Sequence, residues 1–431
     1  MAGKIYVKSF GCSTNIADGE VIAGCLKKAG YTITQNLSEA EIVIYNTCAV
    51  KSPTEDKMIN LLKNVPPNKK LIVAGCLPLI NFERVKREAR FDGVIGPAPG
   101  DRIVDLVKRV EKGEKHVILR NDFKPSLSLP RFCSSQVVRI IPVAYGCIGA
   151  CSFCCVRFAR GKLRSYHPEE ILWEVEKSVK KEGVKEVWLT SQDLAAYGKD
   201  LGLSLIDLLD KVVRVEGKFF IRLGMMNPKN VLEFLEDLAK IYMDKKVFKF
   251  IHLPLQSGDD EVLRLMNRPY SVEDFKRIVS FLRSKIPDLT LATDIICGFP
   301  GETEEAFNRS LRLIEEIKPD IVNISKFYPR PGTPASKMEM LPTSEVKRRS
   351  KLMTKLTAKI SLEKNLRWVN WHGEILVDEK GFKGSWVGRN FAYKPMVLTE
   401  NNQNLMGKYL DVKVVKAHQN YLEVKPQTEA S

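Results

Sequence analysis

The hydrophobic period changes twice along the chain. Between residues 5 and about 110, apolar runs of strand character (5–9, 42–45, 71–74) alternate with helical ones; the clearest is 16–29, with Val21, Ile22, Cys25 and Leu26 on one face and Gly30 as a stop. Strand and helix in alternation predict an α/β sandwich. From residue 137 the alternation becomes regular. Strands near 137–143, 187–190, 219–223, 250–253, 289–296 and 321–327 are separated by helices near 168–182, 204–215, 228–242, 272–285 and 303–317, with a last helix across 344–369. Such βα units predict a parallel barrel whose active face is the carboxyl end of the strands. Six units rather than eight make it a partial, TIM-like (β/α)6 barrel, open on one side to admit a large substrate. After Trp371 the helical period disappears. Short alternating runs at 375–377, 386–387, 396–398, 410–415 and 421–424, separated by turn residues at 379–381 and 400–402, predict a small all-β, OB-like barrel.

The expected fold class is therefore α/β multidomain: an N-terminal sandwich over 1–120, a linker over 121–136 with two prolines and several serines, a barrel over 137–367 and a small barrel over 368–428. An apolar content of 44% is ordinary for a soluble globular protein. The first ten residues alternate like a strand and carry no secretory h-region, and the most apolar later stretch, 137–156, is broken by Arg139 and crowded with cysteines, so no membrane span is expected. Ten cysteines in that setting point to a reducing, cytoplasmic location and to metal ligation rather than disulfides. Lys and Arg number 68 against 52 Asp and Glu, a net charge of +16 that favours a polyanionic partner such as nucleic acid. Lys/Glu richness of the hyperthermophile type would explain many charges, but not the imbalance. The excess is spread along the chain, so charge alone singles out no nucleic-acid arm.

The cysteines carry the chemistry. Cys147, Cys151 and Cys154 are spaced Cys-x3-Cys-x2-Cys at the end of the first barrel strand. Three thiolates on one tight loop can hold three irons of a 4Fe-4S cluster and leave the fourth iron open for a substrate. A structural zinc site would pair two Cys-x2-Cys halves, and no second half is present. Cys155 follows at once; two adjacent thiols do not easily ligate one cubane, so its side chain is expected to point away. In the first hundred residues, Cys12, Cys48 and Cys76 each follow a strand end. Ligands of open α/β sheets bind beyond the carboxyl ends of strands, so these thiols are expected to converge on a second three-thiolate cluster; the alternative is three unrelated buried cysteines.

The loop resembles the radical S-adenosylmethionine (SAM) signature, with Phe153 at its aromatic position, and nearly the whole chain resembles a methylthiotransferase of that superfamily. The likeness rests on Phe10-Gly11-Cys12-Ser13, Asn46-Thr47-Cys48-Ala49-Val50, Ala74-Gly75-Cys76, 146–154, 252–258 (His-Leu-Pro-Leu-Gln-Ser-Gly), 294–303 (Asp-Ile-Ile-Cys-Gly-Phe-Pro-Gly-Glu-Thr) and 327–334 (Phe-Tyr-Pro-Arg-Pro-Gly-Thr-Pro). Residues 50–56 (Val-Lys-Ser-Pro-Thr-Glu-Asp) and 188–198 (Trp-Leu-Thr-Ser-Gln-Asp-Leu-Ala-Ala-Tyr-Gly) look most like the archaeal and eukaryotic branch that acts on N6-threonylcarbamoyladenosine (t6A) in tRNA. The resemblance implies a methylthiotransferase domain, a radical SAM barrel and a C-terminal TRAM barrel that grips tRNA, with two 4Fe-4S clusters, SAM and an electron donor protein. It implies that the barrel cluster cleaves SAM to a 5′-deoxyadenosyl radical, that the N-terminal cluster carries the sulfur, that a second SAM methylates it, and that the product is the 2-methylthio derivative of t6A. Replacing the C2 hydrogen of an adenine means breaking a C–H bond that side-chain acids and bases cannot open, which is work for a cofactor radical.

Other site residues follow from position. Ser191, Gln192 and Asp193 end the second barrel strand and Gln256 the fourth, while Gly298, Gly301 and Glu302 resemble a SAM-contacting loop after the fifth; each could equally be barrel-end polarity or a capped turn. In the small barrel, Lys383, Trp386, Arg389 and Lys394, with Phe391 and Tyr393, suit phosphate contact and base stacking, although a barrel core needs aromatics anyway. The five histidines show no metal spacing, and Cys25, Cys133 and Cys297 read as structural. Two further readings are methylthiolation of isopentenyladenosine in tRNA or of a ribosomal protein, and an iron-sulfur protein that binds RNA or passes electrons without catalysis.

Overall fold

The computed structural model describes residues 3–399 and 404–427; the turn at 400–402 and the side chain of Lys383 lie outside the described residues. Strands β1 (Lys4–Ser9), β2 (Thr32–Thr34), β3 (Ile42–Thr47), β4 (Lys70–Gly75), β5 (Gly93–Ile95) and β6 (His116–Ile118) form one parallel sheet in the order β2-β1-β3-β4-β5-β6. The central strand β3 is buried throughout, and its alternate residues serve two cores. Ile42 and Ile44 meet helices Ser13–Lys28 and Arg102–Glu111, whereas Val43 and Tyr45 meet Ser52–Lys63 and Leu77–Glu88. A parallel sheet covered on both faces needs such continuous apolar strands. Val21, Ile22, Cys25 and Leu26 lie together in the first of these cores.

The 121–136 stretch forms no helix or strand, yet it is a strap rather than a free tether. Phe123 and Leu127 are buried, the Phe132 amide donates to the Glu20 carbonyl at 2.9 Å, and the Glu20 carboxylate accepts from the amide and hydroxyl of Ser134 at 3.1 and 2.9 Å. Serines and prolines signal the absence of regular structure; they do not signal looseness.

The barrel strands are β7 (Val138–Pro142), β10 (Glu186–Thr190), β11 (Phe220–Leu223), β12 (Phe250–His252), β13 (Thr290–Cys297) and β14 (Ile321–Lys326), with β8 (Ala144–Tyr145) and β9 (Arg164–Ser165) closing a short antiparallel clamp after the first. All six barrel strands expected from the period are present. They run in parallel as two ladders, β11-β10-β7 and β12-β13-β14, joined through a thin seam in which the Phe248 amide donates to the Ile221 carbonyl at 3.0 Å. Among the described residues no pairing joins β7 to β14, so the barrel is open. Helices Leu205–Val212 and Val272–Lys285 begin with Ser204 and Ser271, whose hydroxyls accept from the amides of Asp207 and Asp274 while those carboxylates reach back, which satisfies orphan amides at both ends of the exchange.

Between residues 372 and 426 a closed barrel is formed by β15 (His372–Lys380), β16 (Trp386–Arg389), β17 (Pro395–Leu398), β18 (Tyr409–Ala417) and β19 (Leu422–Pro426), in the order β15-β16-β17-β19-β18. It docks on the outside of the larger barrel. Tyr393 packs against Phe248 and Phe250, with ring centroids 4.8 and 5.1 Å away, and the Lys394 ammonium donates to Asp320 at 2.7 Å and to Asn365 at 3.2 Å. Among the described residues no helix is long and apolar enough to cross a membrane.

Candidate functional site

The loop that carries Cys147, Cys151 and Cys154 leaves the sheet at β8 and returns at β9, so the two-strand clamp fixes both of its ends. Gly146 opens the loop at φ +80°, where a Cβ would lie 1.9 Å from the Lys162 carbonyl oxygen; no other residue fits there. Its amide donates to Gln192 at 2.7 Å, so Gln192 positions the loop from the end of β10. Sulfur acceptors are already met by donors: the Gly149 amide lies 3.2 Å from the Cys147 Sγ and an Arg268 guanidinium nitrogen 3.5 Å from the Cys151 Sγ. Burial pushes the Cys154 thiol up to about 12 and raises that of Cys147 as well. A thiol in such surroundings keeps its proton until a metal replaces it, and N–H groups aimed at sulfur then stabilise the thiolate. The donor set therefore suits iron ligation.

The second triad stands at the carboxyl ends of adjacent strands. Cys12 follows β1 and opens the helix Ser13–Lys28, Cys48 follows β3, and Cys76 follows β4 and opens the helix Leu77–Glu88. Gly11 precedes Cys12 at φ +100°, and a Cβ there would lie 2.7 Å from the Cys48 Sγ, so the two thiols approach only over a glycine. The three thiols are within electrostatic reach of one another. Burial pushes Cys76 up to about 12 and raises Cys48, with the Arg160 guanidinium pulling both the other way. Among the described residues no three Cys, His, Asp or Glu side chains close in on a single metal ion; a cubane spreads its ligands over different irons and needs a wider span.

Arg160 joins the triads. It ends the short helix Val156–Arg160 that follows the loop cysteines, and it is 2% exposed. Its guanidinium donates to Asp18 at 2.6 Å and Asn15 at 3.0 Å, both in the sandwich, and Asp18 also accepts from the Tyr145 hydroxyl at 2.7 Å. Cys155 is buried against the Ala49 carbonyl, Sγ to O 3.8 Å, and shares a core with Ala49 and Cys76. It packs on the sandwich, while staying within electrostatic reach of Cys154 and lining the same cavity. Spacing gave no sign of Arg160, whose partners lie far off in sequence.

At the barrel mouth, Phe153, Cys154, Gln256, Asp294 and Tyr328 line a cavity of about 420 Å³, closed on one side by Val50 and Lys51 from the sandwich. Phe153 stacks edge-on to Phe299, 6.4 Å between centroids. Against the burial that would raise it, hydrogen bonds from His252 (3.0 Å) and Asn323 (2.8 Å) hold the Asp294 carboxyl below its ordinary range. Arg330 also reaches across: it donates to the Ala49 carbonyl at 2.8 Å and pairs with buried Glu55. Asp294, Arg330 and Lys51 stood in recognisable motifs, but motif membership assigned them no role.

Several expected contacts are placed otherwise. Ser191 is buried and its hydroxyl has no hydrogen-bond partner among the described residues; it does not line the mouth cavity. Asp193 instead accepts from the Asn227 amide (2.9 Å) and the Asn230 side chain (2.7 Å), which makes it a brace between β-strand ends. Gly298 and Gly301 take left-handed turns at φ +76° and +87°, and Glu302 accepts from the Gly298 amide and from Arg349, both at 2.8 Å; this loop is a capped turn with a buried ion pair. In the small barrel, Trp386 is buried in the core, Lys394 is spent on Asp320, and Arg389 pairs with Asp378 at 3.3 Å and with Glu379 at 3.4 Å. These three residues hold the barrel together and in place, and Trp386 and Lys394 present no surface to RNA.

Three families match the chain: the Radical SAM superfamily over residues 141–314, the Uncharacterized protein family UPF0004 over 4–96 and the TRAM domain over 373–425. The probable threonylcarbamoyladenosine tRNA methylthiotransferase of Pyrococcus abyssi is 43% identical over 423 residues, which cover 97% of this chain and 98% of that protein. The human threonylcarbamoyladenosine tRNA methylthiotransferase is 39% identical over 439 residues, 99% of this chain and 74% of that protein. Among solved structures, the radical S-adenosylmethionine methyltransferase TsrM from Kitasatospora setae, with cobalamin and a 4Fe-4S cluster bound, superposes with a TM-score of 0.56 at 15% identity, covering 78% of this chain and 77% of that one. That likeness is one of fold.

Proposed function

The chain belongs to the threonylcarbamoyladenosine tRNA methylthiotransferases, and on that premise we propose that it replaces the C2 hydrogen of t6A beside the tRNA anticodon by a thiomethyl group. The observation that carries this reading is the short stretch 154–160, which links the two thiol triads: Cys154 lines the mouth cavity while Arg160 is buried within reach of Cys48 and Cys76. A hydrogen-abstracting centre and a sulfur-carrying centre must serve one adenine, so they have to face the same space. When bound, a 4Fe-4S cluster at Cys147, Cys151 and Cys154 supplies the electron that cleaves SAM. A second cluster at Cys12, Cys48 and Cys76 completes the reading, with domain borders near 120, 136 and 367, a separate electron donor protein and a cytoplasmic location.

The chain's own residues have defined tasks. Gln192 and the clamp of β8 and β9 fix the cluster loop, and Arg268 and the Gly149 amide support its sulfurs. Arg160 and Arg330 hold the sandwich against the barrel mouth. Anaerobically reconstituted protein with SAM, reductant and t6A-bearing tRNA should yield the 2-methylthio nucleoside by mass spectrometry. Iron should fall by about half in Cys147→Ala/Cys151→Ala/Cys154→Ala and again by about half in the Cys12, Cys48 and Cys76 counterpart. No product, or equal turnover of isopentenylated tRNA, sinks the reading; a wild-type count near one cluster sinks its second centre.

A further inference from the structure

The lining of the mouth cavity is of two chemical kinds. Phe153, Met225, Ile296 and Phe327 are apolar or aromatic, whereas Lys51 from the sandwich and Lys326 from the end of β14 are basic. The third cation there, Arg330, is buried and bound to Glu55, so it has no capacity left for a ligand. Lys51 and Lys326 differ. Neither forms an ion pair among the described residues, and the one carboxylate that faces them, Asp294, already accepts from His252 and Asn323. Lys51 helps to hold Asp294 ionised, but one carboxylate that already accepts two hydrogen bonds stands against two ammonium groups. An excess of positive charge in a lining that also carries aromatic residues suits a flat, mostly apolar ligand with an anion at its edge.

We propose that Lys51 and Lys326 bind the carboxylate of the threonylcarbamoyl group and so select a carboxylate-bearing adenosine. The inference rests on the reading above, that the substrate is t6A in tRNA. The threonyl unit ends in a carboxylate, whereas an isopentenyl group is an uncharged hydrocarbon that would leave both ammonium groups unpaired in a partly closed cavity. Specificity of this kind comes from what the wrong ligand leaves unsatisfied. It also explains why the sandwich contributes Lys51: the residue that reads the modification belongs to the domain proposed to deliver the sulfur, so recognition and delivery close together.

The test uses the holoenzyme and two synthetic anticodon stem-loop RNAs, one carrying t6A and the other its methyl ester, which keeps the shape and removes the charge. Wild-type protein should prefer the free acid in Kd by about tenfold, the size of one charge-assisted hydrogen bond in a partly exposed site. In Lys51→Ala/Lys326→Ala the preference should fall to about one, and in Lys51→Arg/Lys326→Arg it should persist. A wild-type enzyme indifferent to the ester, or a preference unchanged in the alanine pair, overturns the proposal. So does a rise in the KM for SAM in the alanine pair, which would assign these cations to the carboxylate of SAM itself. Failure of the wild type to bind or modify either RNA, with turnover of an isopentenylated one, would instead overturn the t6A reading on which the proposal stands.

Discussion

A guanidinium as buried as that of Arg160 is tolerated only while its partners stay charged or polar. Asp18 supplies the charge and Asn15 and Tyr145 complete the hydrogen bonds, across a separation of 142 residues between Arg160 and Asp18. Arg160→Met should cost about 3–5 kcal/mol in denaturant unfolding, because it strands a buried carboxylate, and Asp18→Asn in the same chain should recover part of the loss. An unchanged midpoint would mean the pair is not closed in solution. Cys155 is the contrasting case. Its Sγ meets the Ala49 carbonyl, so Cys155→Ser, whose hydroxyl can keep that acceptor, should lower stability by about 1 kcal/mol and leave iron content and SAM cleavage intact. Loss of the barrel cluster would show that Cys155, not Cys154, is the ligand. The cysteines were legible because thiol spacing has a meaning of its own. Arg160 was not, because nothing about an arginine within Phe-Ala-Arg-Gly says which distant carboxylate it will meet.

Elements were legible where period decides them. The six barrel strands and five small-barrel strands fall on their apolar runs, and helix Val272–Lys285 begins and ends where its period predicts. What period cannot show is how one unit sits on another. Glu186 on β10 and Asp378 on β15 are both buried at the seam between the barrels, near Arg222, Arg389, Tyr393 and Tyr409. Burial first, then the charge of Asp378, push the Glu186 carboxyl from 4.5 up to about 8, although the Trp188 ring N–H at 2.5 Å and the two arginines pull it down. A carboxyl whose pKa rises on folding stays protonated in the folded chain after the unfolded chain has lost its proton. Its contribution is therefore complete below about pH 4.5 and is lost as pH climbs to about 8, at up to about 1.4 kcal/mol per unit. Glu186→Gln should flatten the fall in unfolding midpoint between pH 5.5 and 8.5. Parallel pH curves for both proteins would show that the seam is not the sensitive element. The same seam explains the misreading of Lys394 and Trp386: a basic and an aromatic residue in a small β-barrel suggest RNA, but burial assigned them to docking and to the core.

The whole molecule carries +16, and RNA should meet that charge where it is exposed. Deleting the small barrel would be a poor test, because it would bare Tyr393's aromatic seat on Phe248 and Phe250 and leave Asp320 buried without its lysine. A better one lies on the helix Thr343–Leu366, which begins beside Tyr328 at the mouth, where Lys347 lines a second cavity, and ends against the small barrel, where Asn365 donates to the His418 carbonyl at 2.8 Å. Lys347, Lys351, Lys355 and Lys359 are exposed along it at four-residue steps, roughly 6 Å of rise each. They form one stripe from the chemistry to the TRAM barrel, the path a stem would take if its loop entered the mouth. An adenosine read in that cavity must be splayed from its loop, and phosphate contacts along a stem would hold it there while adding no sequence preference. Replacing all four lysines by Gln should weaken tRNA binding and flatten the log-log salt dependence by roughly 0.7 to 0.9 for each phosphate the stripe neutralises, with at most one phosphate per lysine. The free-acid preference over the methyl ester should survive that change, because charge on the stem and charge in the cavity act on different parts of the RNA. A salt slope equal to the wild type's would move the stem to another face of the molecule.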